Sequence, residues 1–194
     1  MGATAELPLF PLNTVLFPGG PLPLRIFEPR YIDMVRRCTR ERGSFGVVQI
    51  RAGEEAGAVM QTAPVGTSAR IVDFYQLPDG LLGITCHGER RFRLLGRRLA
   101  RDGLNIGEVE WMAPPAAAAV PPRYDYLADL LRSVLPQLGE LYEDLPRHFE
   151  DASWVGARVA EILPLDLADK QACLELDGVE RLARLAPLIR READ

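Results

Sequence analysis

Lysine is almost missing from this chain of 194 residues: of its 23 basic residues, Lys170 alone is lysine. No GxxxxGK[ST] loop can therefore be written, since Lys170 stands in Asp169-Lys170-Gln171 with no glycine ahead of it, and no GxGxxG opens a helix. Nucleotide hydrolysis by a known phosphate loop is excluded. Cysteine is sparse too: Cys38, Cys86 and Cys173 show no CxxC spacing, which argues against a disulfide framework or a zinc knuckle and for structural thiols in a reducing compartment. Cys86 and His87 are adjacent, so on a strand they point to opposite faces and make a poor chelate. With His148 the one other histidine, no metal site is predicted. The serines at 44, 68, 133 and 153 lack a GxSxG setting, and Ser153 reads as a helix cap. A Ser/Lys dyad would depend on Lys170, which the pattern puts on an exposed helix turn. The acid pairs Glu54-Glu55 and Glu143-Asp144 read as solvated surface charge. No catalytic residue and no cofactor is predicted. No apolar run approaches the roughly 20 residues that span a bilayer. Met1 to Phe10 carry neither a basic start nor an apolar stretch of signal type, so a cytoplasmic protein with no membrane partner is expected.

What is present is ordinary globular material, 47% apolar and 26% charged, with a net charge of -4. That is enough to bury a core, in one large domain or two small ones. The charge is uneven. Residues 1–110 hold 14 arginines against 12 acids, or +2, whereas residues 111–194 hold 9 basic residues against 15 acids, or -6. Between them, residues 113–122 contain four prolines among alanines and read as an extended linker. The predicted organisation is a β domain over 1–112, a Pro/Ala linker over 113–122 and a helical domain over 123–194.

In the first part, Leu7–Leu12 and Val15–Gly20 are proline-punctuated apolar bursts, expected as edge strands and tight turns. Pro21–Phe27 alternates as a strand, and Pro29 opens a helix whose stripe of Tyr31, Ile32, Met34 and Val35 ends near Arg42-Gly43. Strands are predicted at Phe45–Ile50, Val65–Leu77, Leu81–Cys86, Arg91–Leu95 and Leu104–Val109, with a loop at Gly53–Gly57 and a hairpin turn at Pro78-Asp79-Gly80. A mainly antiparallel barrel or curled sheet with one inserted helix follows, an α+β chain overall.

After the linker, Leu127, Leu130, Leu131, Val134, Leu135, Leu138, Leu141 and Tyr142 recur at helical spacing, broken near Pro136. A helix capped by Ser153 should end at Pro164, another should start at Asp166, and a last one should open on Asp177 and Glu180. These give a four-helix cluster.

Two constellations could bind something. Arg90, Arg91, Arg93, Arg97, Arg98 and Arg101 put six positive charges into twelve residues, a candidate phosphate-binding patch. The near-neutral domain and a sequence pI near 5.3 favour an acid-paired face instead. The aromatic residues Phe10, Phe17, Phe27, Tyr31, Phe45, Phe74 and Tyr75 are mostly core by expectation, a few of them lining a groove for an extended peptide.

Leu7-Pro8-Leu9-Phe10-Pro11-Leu12, Val15–Gly19 and Leu22–Tyr31 together resemble the N-terminal domain of Lon proteases, as do Val65-Gly66-Thr67, Ala69-Arg70-Ile71 and Gly88–Leu94. The resemblance continues through Ala160–Leu176 and Gly178–Leu185 and covers about residues 7 to 188. It implies a PUA-like curled antiparallel β-barrel with an inserted helix, followed by a C-terminal α-helical bundle. It also implies a stand-alone, non-enzymatic recognition module for unfolded polypeptide or a protein partner, without the ATPase and Ser/Lys protease of Lon. The expected surface is Phe27, Glu28, Tyr31, Phe74 and Tyr75, with Glu28 and Arg30 alternatively an ion pair at the helix start. Nucleic-acid binding through the Arg90–Arg101 cluster is the alternative, and nothing specific supports a small-molecule pocket.

Overall fold

Two prolines in the first strand dictate how it can pair. β1 (Thr4–Leu12) lies antiparallel to β7 (Asn105–Trp111) over Thr4–Leu9 and parallel to β3 (Phe45–Gly53) over Leu9–Leu12. Apart from Leu9, each residue of β1 thus has a ladder neighbour on one side, so the missing N–H groups of Pro8 and Pro11 leave no bond unmade. The edge strand expected at Leu7–Leu12 is in fact joined to two neighbours in succession. The structure, a computed structural model, describes residues 3–53, 55 and 59–192, so most of the loop expected at Gly53–Gly57 lies outside the described residues.

The other strands are β2 (Pro21–Ile26), β4 (Val59–Thr62), β5 (Val65–Gln76) and β6 (Leu82–Leu99), and the helices are α1 (Pro29–Glu41), α2 (Asp125–Val134), α3 (Ala152–Ile162), α4 (Leu167–Glu175) and α5 (Gly178–Glu192). Met1–Ala113 and Pro114–Asp194 form two compact units. Strand order in the first is β1-β7-β6-β5-β3-β4 with β2 on β6, and the β1–β3 pairing returns the path to its start. The sequence pattern suggests two strands where β6 is continuous. Gly88 does not interrupt it, because a side chain there would collide with the Phe17 carbonyl oxygen 2.3 Å away: the glycine permits close approach of two backbones. β4 had no alternation signal and was not expected.

α1 begins with Pro29 in its first turn and buries Tyr31, Met34, Val35 and Cys38, the i, i+3, i+4, i+7 spacing of one helix face. That face packs on Phe10, Phe45, Ile84 and Cys86. A second cluster joins Leu7, Leu9, Val48, Phe92 and Val109. Each such side chain contributes about 1.5–3 kcal/mol by leaving water. α1 stops at Arg42, whose φ of 51° is left-handed; its N–H donates to Thr39 O, and Gly43 N–H donates to Cys38 O.

In the second unit, Pro136 ends α2, after which short 3₁₀ turns carry the chain. The cap of α3 is Asp151, whose carboxylate accepts from the N–H groups of Ser153 (2.7 Å) and Trp154 (3.2 Å); the expected cap, Ser153, is inside the helix. Asp166 caps α4 as the pattern suggests, accepting from Asp169 N–H. The Pro/Ala segment is tied down: Val120 N–H donates to Glu150 O and Ala152 N–H to Ala118 O. Buried Arg181 on α5 donates to the carbonyls of Cys173, Ser153 and Leu176, at 2.7, 3.1 and 2.7 Å, binding α3 and α4 to α5. Partly buried Glu161 accepts from Tyr142 Oη (2.8 Å) and Arg158 (2.9 Å), while Lys170 Nζ donates to the Glu161 carbonyl. Burial pushes the Glu161 carboxyl up despite Arg158, pushes the Tyr142 phenol up, and holds the Lys170 ammonium below its ordinary value. Among the described residues no helix is long and apolar enough to cross a membrane, and no three His, Cys, Asp or Glu side chains are placed to hold a metal ion.

Candidate functional site

β5 has twelve residues, and β3 pairs with it only from Val47↔Thr67 to Phe45↔Ala69. Before Phe45 the chain turns away into α1, so among the described residues Arg70–Gln76 has β6 on one side and no strand on the other. The hairpin turn sets which backbone groups face that open side. Leu77 N–H donates to Leu81 O and Gly80 N–H to Leu77 O, with Gly80 left-handed at φ 84°. Counting back through the antiparallel ladder, Tyr75↔Gly83 and Asp73↔Thr85 exchange hydrogen bonds, and the N–H and C=O of Phe74 and Gln76 point outward. Phe74 N–H is met locally, by Asp73 Oδ1 at 2.8 Å.

Strand alternation sends the two neighbouring rings to opposite faces. Phe74 lies opposite Ile84 and Leu24, on the face that α1 covers further along. There, Phe74, Ile71 and Arg70 from β5 meet Cys38, Thr39, Arg42 and Gly43 from the end of α1 around a cavity of about 300 Å³. A second hollow, lined by Phe74, Tyr75, Gln76, Gly80, Leu81 and Leu82, continues toward the hairpin tip. Tyr75 turns to the other face and lays its ring across Gly83, where a Cβ would stand 2.2 Å from Cε2. Arg25 on β2 pairs with Asp79 in the turn at 2.6 Å, fixing the tip to its neighbour. Burial pushes the Cys38 thiol up, with the Arg37 guanidinium opposing, and pushes the Cys86 thiol up to about 12. Thiols held protonated are wall material, not nucleophiles.

The expected surface residues separate. Phe27, Phe74 and Tyr75 are 53%, 46% and 36% exposed. Tyr31 is not a surface residue: it is 2% exposed and stacks on Phe10 with ring centroids 3.9 Å apart, because its position on α1 is the first of the buried face. Glu28 pairs with Arg30 at 2.7 Å, and Arg30 also donates to Gly103 O, so these two hold the start of α1 against the loop before β7. The arginine cluster is dispersed by the same strand alternation. Arg91 is 5% exposed, Arg90 lies over the Trp111 ring, Arg97 donates to Asn105 and Arg98 forks onto both oxygens of Glu6. Arg93 is exposed. Sequence reasoning missed Cys38, Thr39, Arg42, Gly43, Arg70 and Ile71. One signal could have found them: a thirteen-residue strand pattern at 65–77 against a six-residue one at 45–50 must leave an unpaired remainder.

Compared with known proteins, residues 6–191 match the family described as the ATP-dependent protease La (LON) substrate-binding domain. Among curated relatives, Lon protease 2 of Herpetosiphon aurantiacus is 30% identical over 206 aligned positions, taking in 98% of this chain and 24% of that protein. The chain spans about a quarter of the length of the curated relatives it matches most fully. The crystal structure of a Lon N-terminal domain protein from Xanthomonas campestris is 38% identical, with a TM-score of 0.77 over 96% of this chain and 98% of that one. The N-terminal domain of a Mycobacterium avium complex Lon protease shares the fold at 18% identity, with a TM-score of 0.66 over 94% of this chain and 97% of that one. The chain belongs to the family of Lon substrate-binding domains.

Proposed function

We propose that this chain is a non-enzymatic recognition module that holds unfolded polypeptide. The observation that carries the reading is the exposure of Phe27, Phe74 and Tyr75 near one end of β2 and β5, with Phe74 lining the cavity and Tyr75 on the opposite face. Ile26, Leu82 and Gln76 stand in one cross-strand row there, so Phe27 lies two strand spacings across the sheet and two to three residues along it from Tyr75 and Phe74, roughly 12–14 Å by backbone. Exposed rings and open strand edge suit a chain that is itself unfolded. The same proposal takes the β unit as a PUA-like curled barrel, supported by the strand path that returns to β1. It divides the chain into a β domain over 1–112, a linker over 113–122 and a helical domain over 123–194, and sets the protein in the cytoplasm.

The test uses reduced, carbamidomethylated α-lactalbumin as a permanently unfolded probe, native α-lactalbumin as its folded control and a single-stranded RNA oligonucleotide. Fluorescence anisotropy should show saturable binding of the unfolded probe and none of the native protein. Tight, steeply salt-dependent binding of the RNA with no binding of the unfolded probe would overturn the reading in favour of Arg90, Arg93, Arg97 and Arg98.

A further inference from the structure

We infer that the open edge of β5 takes an extended segment of the unfolded chain as an added antiparallel or parallel strand, with one bulky apolar side chain in the Phe74 cavity and an acidic residue beside Arg42. This rests on the recognition reading above and specifies its site and ligand class.

Three independent observations meet at that edge. The first is backbone chemistry. The outward N–H and C=O groups of Phe74 and Gln76 have no neighbouring strand among the described residues, and a chain adding there would complete the ladder without disturbing the bonds to β6. The carboxylate of Asp73 on Phe74 N–H occupies the place of such a strand and is replaced by its carbonyl. The second is shape. A strand beside β5 presents alternate side chains to the face that Phe74 shares with Ile71 and the end of α1, and the cavity of about 300 Å³ there is apolar on Cys38, Ile71 and Phe74. It is at the small end of ligand pockets, right for one large side chain and too small for a folded partner's surface.

The third is charge. The cavity rim carries Arg42 and Arg70. Arg70 is engaged by Glu89 at 3.0 Å, whereas Arg42 is exposed and has no acidic partner among the described residues. Arg42 is also the one non-glycine residue with positive φ among those described, at 51°. A helix end of this kind ordinarily takes glycine, and an L-residue there is strained by about 1–2 kcal/mol. Strain kept at the mouth of a cavity, by a residue whose guanidinium has no acidic partner among the described residues, points to a ligand with a carboxylate.

The experiment measures binding of a fluorescein-labelled nine-residue peptide, Ser-Thr-Asp-Val-Phe-Val-Asp-Thr-Ser, to the whole chain. Two further versions carry backbone N-methyl groups on one or the other set of alternate residues. Only one edge of an added strand faces β5, so one version should lose at least 10-fold in affinity while the other stays within about threefold. Phe74→Ala should lose at least 10-fold. Arg42→Glu should lose about fivefold or more and should gain for a version with Lys in place of Asp. Both N-methylated versions binding like the parent, or failing alike, would overturn the added strand. A wild-type dimer in light scattering that Gln76→Pro turns into a monomer would give the edge to a second copy and overturn it too. Unfolded α-lactalbumin bound equally by wild type and Phe74→Ala would leave the recognition reading standing and this site wrong. No binding of that probe by either would bring down both.

Discussion

Tyr31 and Phe74 are both aromatic and were both expected on one surface, yet the structure gives them opposite tasks, and substitution separates them. Tyr31 is 2% exposed and packed between Phe10 and the rest of α1's buried face. Removing its ring gives up about 150–250 Å² of buried aromatic surface, and substitution by alanine should cost about 3–5 kcal/mol. Its hydroxyl is buried with no hydrogen-bond partner among the described residues, and burial pushes the phenol's pKa up. An unmet hydroxyl costs about 1–3 kcal/mol, so Tyr31→Phe should be neutral or stabilising by about 1 kcal/mol. Phe74 is half exposed, so Phe74→Ala should cost no more than about 1 kcal/mol while weakening the binding of unfolded α-lactalbumin at least 10-fold. Urea unfolding followed by Trp111 fluorescence in a Trp154→Phe background reads the β unit, and anisotropy reads binding. Destabilisation by Tyr31→Phe beyond about 1 kcal/mol would refute the reading of Tyr31. So would a Phe74→Ala protein that is as unstable as Tyr31→Ala and binds normally, for Phe74.

Three further outcomes follow from the same contacts. Glu161→Ala leaves Arg158, whose side chain is fully buried, without its carboxylate and should cost about 3–5 kcal/mol in unfolding followed by Trp154; Glu161→Gln keeps an acceptor for Tyr142 and should cost less. Burial pushes the Cys86 thiol up to about 12 in the folded protein, from an ordinary value near 9.0. The raised folded value means stability is fully present below pH 9 and falls by about 1.4 kcal/mol per pH unit above it, readable as a shift of the urea midpoint between pH 8 and 10.5; a flat midpoint would contradict it. Arg42→Gly should relieve the left-handed strain, raising stability by about 1 kcal/mol, and should weaken binding of the acidic peptide several-fold, two effects that a purely structural Arg42 would not combine.

Local chemistry was legible wherever it decided the backbone. Pro29 opened α1, Pro78-Asp79-Gly80 made the hairpin, and Asp166 capped α4. Alternation placed β2, β5 and β7 to within a residue or two. What it could not show was pairing. The continuity of β6 through Gly88 depends on the Phe17 backbone lying against it, a contact of residues 71 apart in sequence. The cap of α3 went to Asp151, whose carboxylate reaches the N–H groups of Ser153 and Trp154 and so starts the helix two residues before a Ser153 cap would. Exposure was legible only in part: Phe27, Phe74 and Tyr75 were named as surface residues with Tyr31, and composition could not tell a ring on the buried face of α1 from one beyond the end of the core. The cavity was missed because its wall combines the end of a helix with a strand about thirty residues on, and only the unequal lengths of β3 and β5 hinted that the strand would run on alone.

The most direct test of polypeptide recognition at this site is hydrogen exchange of the whole chain with and without saturating unfolded, carbamidomethylated α-lactalbumin. The expected result is slowed exchange in Arg70–Gln76, concentrated at the Phe74 and Gln76 amides, with Arg90–Arg98 unchanged. Protection confined to Arg90–Arg98, or none in β5 while the probe is bound, would contradict it.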